Sequence, residues 1–77
     1  MNVTVRYFAG AAQAAGFTRA TLVGSTVGEI EDAIITQIGA DVWRQCTVLV
    51  AGRPNPPRQT ELADGTVVDV LPPFAGG

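Results

Sequence analysis

The sequence predicts an α+β domain in which a mixed sheet of four to five strands packs on one main helix. Three observations predict it. Short, β-branched segments stand near both ends of the chain and again in its second half. One segment only, Val27 to Ile38, spaces its apolar residues at the helical period over several turns. Gly and Pro turn signals separate these segments, with no repeat, linker or low-complexity stretch between them. A helix with one apolar face needs one sheet to bury it, which gives a two-layer arrangement.

The elements follow in order. Asn2 to Phe8 alternates Val3, Val5 and Tyr7 against Thr4, Arg6 and Phe8, the period of a strand. Residues 9–16 are rich in Ala with Gly at the edges and read as either a short helical turn or a loop, within a connection of hairpin type. Thr18 to Val23 forms the second strand. Thr26-Val27-Gly28-Glu29 has capping-box spacing, in which the Thr26 hydroxyl accepts from the Glu29 amide. Val27, Ile30, Ile34 and Ile38 make the apolar face of the helix, Glu29, Glu31 and Asp32 favour its N-terminal dipole, and Gly39 ends it. Asp41 to Gln45 is a short turn that brings Trp43 to the core. Cys46 to Ala51 has few polar breaks and reads as a central strand. Gly52 ends it, and Pro54, Pro56 and Pro57 make the hairpin after it irregular. Gln59 to Leu62 reads as a short edge piece, Asp64-Gly65 as a tight turn, and Thr66 to Leu71 as the last strand. With the first and last strands paired in the middle, this order matches the ubiquitin-like β-grasp fold. Residues 1–71 form the domain and 72–77 an extended, flexible tail.

Composition narrows the chemistry. The chain has 77 residues, 47% of them hydrophobic and 16% charged, which suits one packed domain and argues against disorder. It has no His and no Lys, so neither a His-based acid–base pair nor a side-chain amine is available. One Cys excludes an internal disulfide, and Cys46, with no His to activate it, reads as a buried structural thiol. Five Arg without a cluster, at a net charge of −2, argue against nucleic acid. No apolar run approaches a membrane span and no signal-peptide pattern is present, so a cytoplasmic location is the expectation. No metal site is expected, and Asp64 is a turn residue, not a ligand.

The tail carries the functional signal. Pro72-Pro73-Phe74-Ala75-Gly76-Gly77 sets a Gly-Gly α-carboxylate beyond two prolines. Proline disfavours helix at the residue before it, and glycine passes through channels too narrow for a side chain. Six extended residues reach about 20 Å. The reacting group is expected to be the Gly77 carboxylate, presented to another protein's active site.

Both ends of the chain resemble one family. Val5-Arg6-Tyr7-Phe8-Ala9, Leu62-Ala63-Asp64-Gly65-Thr66-Val67-Val68 and the Pro72–Gly77 ending resemble the molybdopterin synthase small subunit, a ubiquitin-like sulfur carrier. The resemblance runs over the whole chain, with the middle agreeing only in pattern. The chain departs from the family at Ala51-Gly52-Arg53-Pro54, where Asn-Gly and a strand former are common, and at the bulky Phe74-Ala75.

The resemblance implies a mechanism and partners. An E1-like adenylating enzyme would use ATP to activate the Gly77 carboxylate, and a sulfur donor protein would convert it to a thiocarboxylate. The large subunit of molybdopterin synthase would then use the sulfur to build the molybdopterin dithiolene. This chain would not be an enzyme alone and would bind no cofactor. Pro72, Pro73, Phe74, Ala75 and Gly76 would thread the tail, and Phe74 would anchor in a partner pocket. Phe8 and Leu71 read equally as core residues or as a hydrophobic partner interface, and Arg6 and Arg53 as solvated charges. Carriers for cysteine or thiamine synthesis, and a ubiquitin-like protein modifier, are the alternatives.

Overall fold

The computed structural model describes residues 1–73. The chain runs β1 (Asn2–Tyr7), α1 (Ala9–Ala15), β2 (Arg19–Val23), α2 (Val27–Ile38), α3 (Ala40–Gln45), β3 (Thr47–Val50), β4 (Arg53–Pro54) and β5 (Val67–Leu71). The five strands form one mixed sheet in the order β2-β1-β5-β3-β4. β1 and β5 are parallel neighbours, with Val5 opposite Val68. The other pairings are antiparallel. This is the ubiquitin-like β-grasp.

Alternation decides what each face of the sheet carries, because successive side chains point to opposite sides. Val3, Val5 and Tyr7 of β1, Val48 and Val50 of β3, and Val68 and Val70 of β5 are buried on the inner face. The helix α2 closes over them with Val27, Ile30, Ile34 and Ile38. Leu62 seals one end of this core, and Trp43 of α3 packs against it half-buried, as its position in the sequence suggests.

The helix starts as the capping box requires. The Thr26 hydroxyl accepts from the Glu29 amide at 3.3 Å. The Glu29 carboxylate reaches back to the Ser25 amide at 3.2 Å, one residue before the expected partner. Two further N–H groups of the first turn have no partner inside the helix. They are taken by the loop that follows β4: Val27 donates to the Thr60 carbonyl at 2.9 Å and Gly28 to that of Arg58 at 2.8 Å. Glycine suits that approach, because a Cβ at Gly28 would sit a tight 3.2 Å from the Arg58 carbonyl oxygen and press the loop outward. Arg58 fastens the same loop, bonding Glu31 at 3.2 Å and Asp32 at 3.1 Å.

Residues 9–15, open in the sequence between a helical turn and a loop, are helical, ended by Gly16 at φ 87°. Several expectations need correction. The first strand stops at Tyr7, and Phe8 is the extended residue that opens α1. Cys46 to Ala51 is not a central strand: β3 lies next to the edge, flanked outside only by the two-residue β4, and Cys46 ends α3. Gln59 to Leu62 is not an edge strand, since its only ladder contact is one bridge between Glu61 and Thr26. The loop's carbonyls serve the α2 terminus instead. Of the three acidic residues only Glu29 lies in the first turn of α2; Glu31 and Asp32 pair with Arg58. No helix among the described residues is long and apolar enough to cross a membrane.

Candidate functional site

The site is built around the end of β5. That strand lies in the middle of the sheet, so its path is fixed on both sides by β1 and β3. The Phe8 amide donates to the Val70 carbonyl at 3.2 Å, and Thr47 stands opposite Leu71. The ladder therefore holds the chain up to its last strand residue and releases it at Pro72, where proline has no N–H to continue pairing. Pro72 is half-buried and Pro73 exposed. Both line a shallow groove of about 260 Å³ whose walls are Ala9 and Gly10 of α1 and Val42 and Gln45 of α3. Phe74, Ala75, Gly76 and Gly77, expected as the threading residues and the reacting carboxylate, lie outside the described residues.

Phe8 and Leu71 share the outer face of the sheet, which no helix covers. Phe8 is 37% exposed, and Leu71 is half-buried. Neither belongs to the buried core, so the core reading of both is set aside. Between them and the opposite end of the strands runs a cross-strand row: Arg19 of β2, Arg6 of β1, Asp69 of β5 and Leu49 of β3.

Arg6 is more than a solvated charge. Its Nε and Nη2 donate to the two carboxylate oxygens of Asp69 at 2.6 and 2.8 Å, a bidentate fork across the parallel β1–β5 pair. The hydrogen bonds to Asp69, and its charge, raise the Arg6 pKa further above its ordinary value. The guanidinium also lies 5.9 Å from the centre of the Phe8 ring. Parity could have found this pair, since Arg6 and Asp69 fall on the outward positions of the two strands expected to be neighbours. Arg53 is exposed, as expected, and opposes the inward-facing Val50.

On the inner face below, the Tyr7 hydroxyl donates to Gln37 Oε1, and the Tyr7 ring meets Phe17 edge-on at 5.7 Å. Burial pushes the Tyr7 phenol up. Cys46 is half-buried, not fully buried; its thiol donates to the Val42 carbonyl at 3.2 Å, and burial pushes its pKa up, away from the reactive thiolate. Asp64 is a turn residue: its Oδ1 accepts from the Asn2 amide at 2.7 Å and Gly65 follows at φ 84°. Among the described residues no three His, Cys, Asp or Glu side chains gather as a metal site.

The described side chains offer no nucleophile beside a base. They hold a central strand rigidly and deliver the chain beyond it at one end of an uncovered, part-apolar sheet face.

The same architecture recurs in solved structures. SAMP1 from Haloferax volcanii, small archaeal modifier protein 1, is similar with a TM-score of 0.80 at 22% identity, over 100% of both chains. A putative molybdopterin converting factor subunit 1 from Pyrococcus furiosus is similar at 0.79 and 26%, over 96% of this chain and 99% of that one. The complex of subunits 1 and 2 of the molybdopterin-converting factor from Helicobacter pylori contains a chain similar at 0.77 and 23%, over 100% of both. No curated protein sequence matches. The fold is thus that of ubiquitin-like sulfur carriers and modifiers. The profile of the ThiS family matches residues 5–77, from the middle of β1 through Gly76-Gly77, and the chain belongs to the ThiS family.

Proposed function

We propose that this chain is the sulfur-donating small subunit of a molybdopterin synthase. The observation that carries the reading is the placement of Pro72-Pro73 at the end of the central strand, with a Gly-Gly ending that the family match includes. The end motifs and the likeness to a converting factor subunit 1 support this pathway over cysteine or thiamine synthesis.

In this reading an E1-like enzyme attacks the α-phosphorus of ATP with the Gly77 carboxylate, and pyrophosphate leaves. The acyl-adenylate is the activated species, since a free carboxylate is a poor acyl electrophile. The terminal sulfur of a donor protein's persulfide adds to the carbonyl and AMP leaves; a second thiol then attacks the donor's sulfur of the resulting acyl disulfide, forming a disulfide there and releasing the thiocarboxylate. The large subunit accepts the tail and uses that sulfur for the dithiolene. A water-poor partner site limits competing hydrolysis. This chain contributes the reacting carbonyl and its positioning, with Phe8 and Leu71 meeting the partner and Phe74 anchoring the tail. Its place of work is the cytoplasm, and ATP belongs to the activating partner.

The test is intact-mass measurement after co-expression with candidate activating enzymes. Exchange of one C-terminal oxygen for sulfur is expected, and the enzyme that supports it names the pathway. No exchange with any of them would sink the reading. The likeness to SAMP1 favours a second reading, attachment of Gly77 to lysines of other proteins. Adducts of higher mass on denaturing gels, lost on deletion of Gly77, would support it.

A further inference from the structure

The outer face of the sheet carries an electrostatic arrangement that the fold does not need. Arg19 stands directly opposite Arg6 in the antiparallel β1–β2 pair. Like charges in that position are destabilising. The one carboxylate in the row, Asp69, is committed to Arg6 by two short hydrogen bonds. Arg19 makes no ion pair among the described residues. Its neighbours form an open concavity of about 710 Å³, bordered by Arg6, Phe8, Ala12 and Thr18.

Charge is also segregated over the molecule. The outward strand positions hold two Arg against one Asp, a net of +1. The remaining three Arg and six carboxylates sum to −3. A partner surface bearing carboxylates is therefore drawn to this face and repelled by the others.

We infer that Arg19 is a docking residue that takes a carboxylate of the partner protein, with Phe8 as the apolar wall of the same concavity. A carboxylate matches the one guanidinium of this cross-strand row that makes no ion pair among the described residues, with a two-point fork. A phosphate chain would call for further free cations, and Arg6 is already paired. The contact lies beside Phe8, whose amide donates to the Val70 carbonyl next to the end of β5, so it orients the carrier as the tail enters the partner. The choice of partner rests on the carrier reading above.

The experiment compares the full chain with Arg19→Gln and Arg19→Glu. Affinity for the purified activating enzyme and for the large synthase subunit is measured by calorimetry at low and high salt, alongside thermal melting. Arg19→Gln is expected to weaken binding to at least one of them by about tenfold, and Arg19→Glu by about a hundredfold, with a flatter salt dependence. The melting temperature is expected to hold or rise, because the opposition to Arg6 is relieved. Weaker binding that only tracks a falling melting temperature would make Arg19 structural and overturn the inference. So would unchanged affinity, competition by inorganic phosphate, or a salt-dependent self-association of the wild-type chain through this face. If the wild-type chain binds neither enzyme and takes no sulfur, the carrier reading itself falls and this inference with it; if it is charged normally and Arg19→Glu is charged equally well at limiting concentration, only the role of Arg19 falls.

Discussion

The two faces of the sheet are made by the same strands and obey opposite rules. Along β1, Val3 and Val5 are 0% exposed on one side, while Thr4 and Arg6 on the other stay half-open. Along β5, Val68 and Val70 are buried, and Asp69 between them holds an ion pair. The inner face is aliphatic and closed by α2; its residues can change only at the expense of packing. The outer face mixes charge, aromatic and aliphatic groups with no helix over it among the described residues, and it is the face on which the proposed partner contact lies. Stability should therefore reside in the inner face and recognition in the outer, and substitutions can break that division.

The largest effect is expected inside. Ile34 is fully buried in the middle of the α2 face. Ile34→Ala removes most of a buried side chain and should cost about 2–5 kcal/mol. That is a large share of what a domain of this size possesses. Urea denaturation should show a markedly lower midpoint, and an unchanged one would mean that α2 does not close the core.

Tyr7 is the inner face's polar exception. Its hydroxyl bonds Gln37 beneath the sheet, so Tyr7→Phe should cost about 0.5–1.5 kcal/mol at neutral pH. The pH dependence follows from the direction of its shift. Burial raises the folded-state pKa above the ordinary 10.0, so the contribution is complete below pH 10 and is lost as pH rises through the raised value. Cys46 shifts the same way for the same reason, starting from 9.0. In a Cys46→Ala background, the wild-type Tyr7 protein should thus lose more stability between neutral and strongly alkaline pH than Tyr7→Phe. Equal losses would place the phenol in water.

On the outer face the ion pair should matter less. Arg6 and Asp69 have side chains 43% and 18% exposed, so solvent screens much of their attraction. A double-mutant cycle with Arg6→Gln and Asp69→Asn should give a small coupling that fades in high salt. A coupling that persists in high salt would make this face structural and erase the contrast with α2.

Legibility in the sequence followed the same division. Period-2 alternation in β1 and the Val27–Ile38 face were visible because burial selects residue type directly. The Gln59–Leu62 segment was misread because its backbone bonds a helix terminus, and no side-chain pattern records that. Residues 9–15 stayed ambiguous because Ala and Gly carry little periodic signal. The proposed role of the tail rests on Gly76-Gly77, which the sequence displays, whereas the place of Arg19 was not legible, since only strand register sets it opposite Arg6. The β3–β4 hairpin was seen as irregular from its prolines; β4 does end at Pro54, but the turn itself has regular two-residue length, and a strained residue sits inside it.

That residue is Ala51, and it supports the smallest prediction. Val50 and Arg53 pair directly, leaving Ala51-Gly52 as a two-residue turn with φ of 50° and 81°. Positive φ at both positions is what the hairpin twist demands. Glycine meets it freely; alanine pays a steric penalty of about 1 kcal/mol or more. Ala51→Gly would remove that penalty and add most of it back as unfolded-chain entropy, so its net effect should be near zero. Ala51→Asn tolerates positive φ without glycine's entropy and should raise stability by about 0.5 kcal/mol. The turn also sets register, and a one-residue slip would send Leu49 inward and Val50 outward, exchanging the two faces. A more stable Ala51→Asn with unchanged partner affinity would show that the turn serves the fold alone. A destabilised Ala51→Asn would mean that β3 and β4 are not joined by this turn, and that the edge of the outer face lies elsewhere.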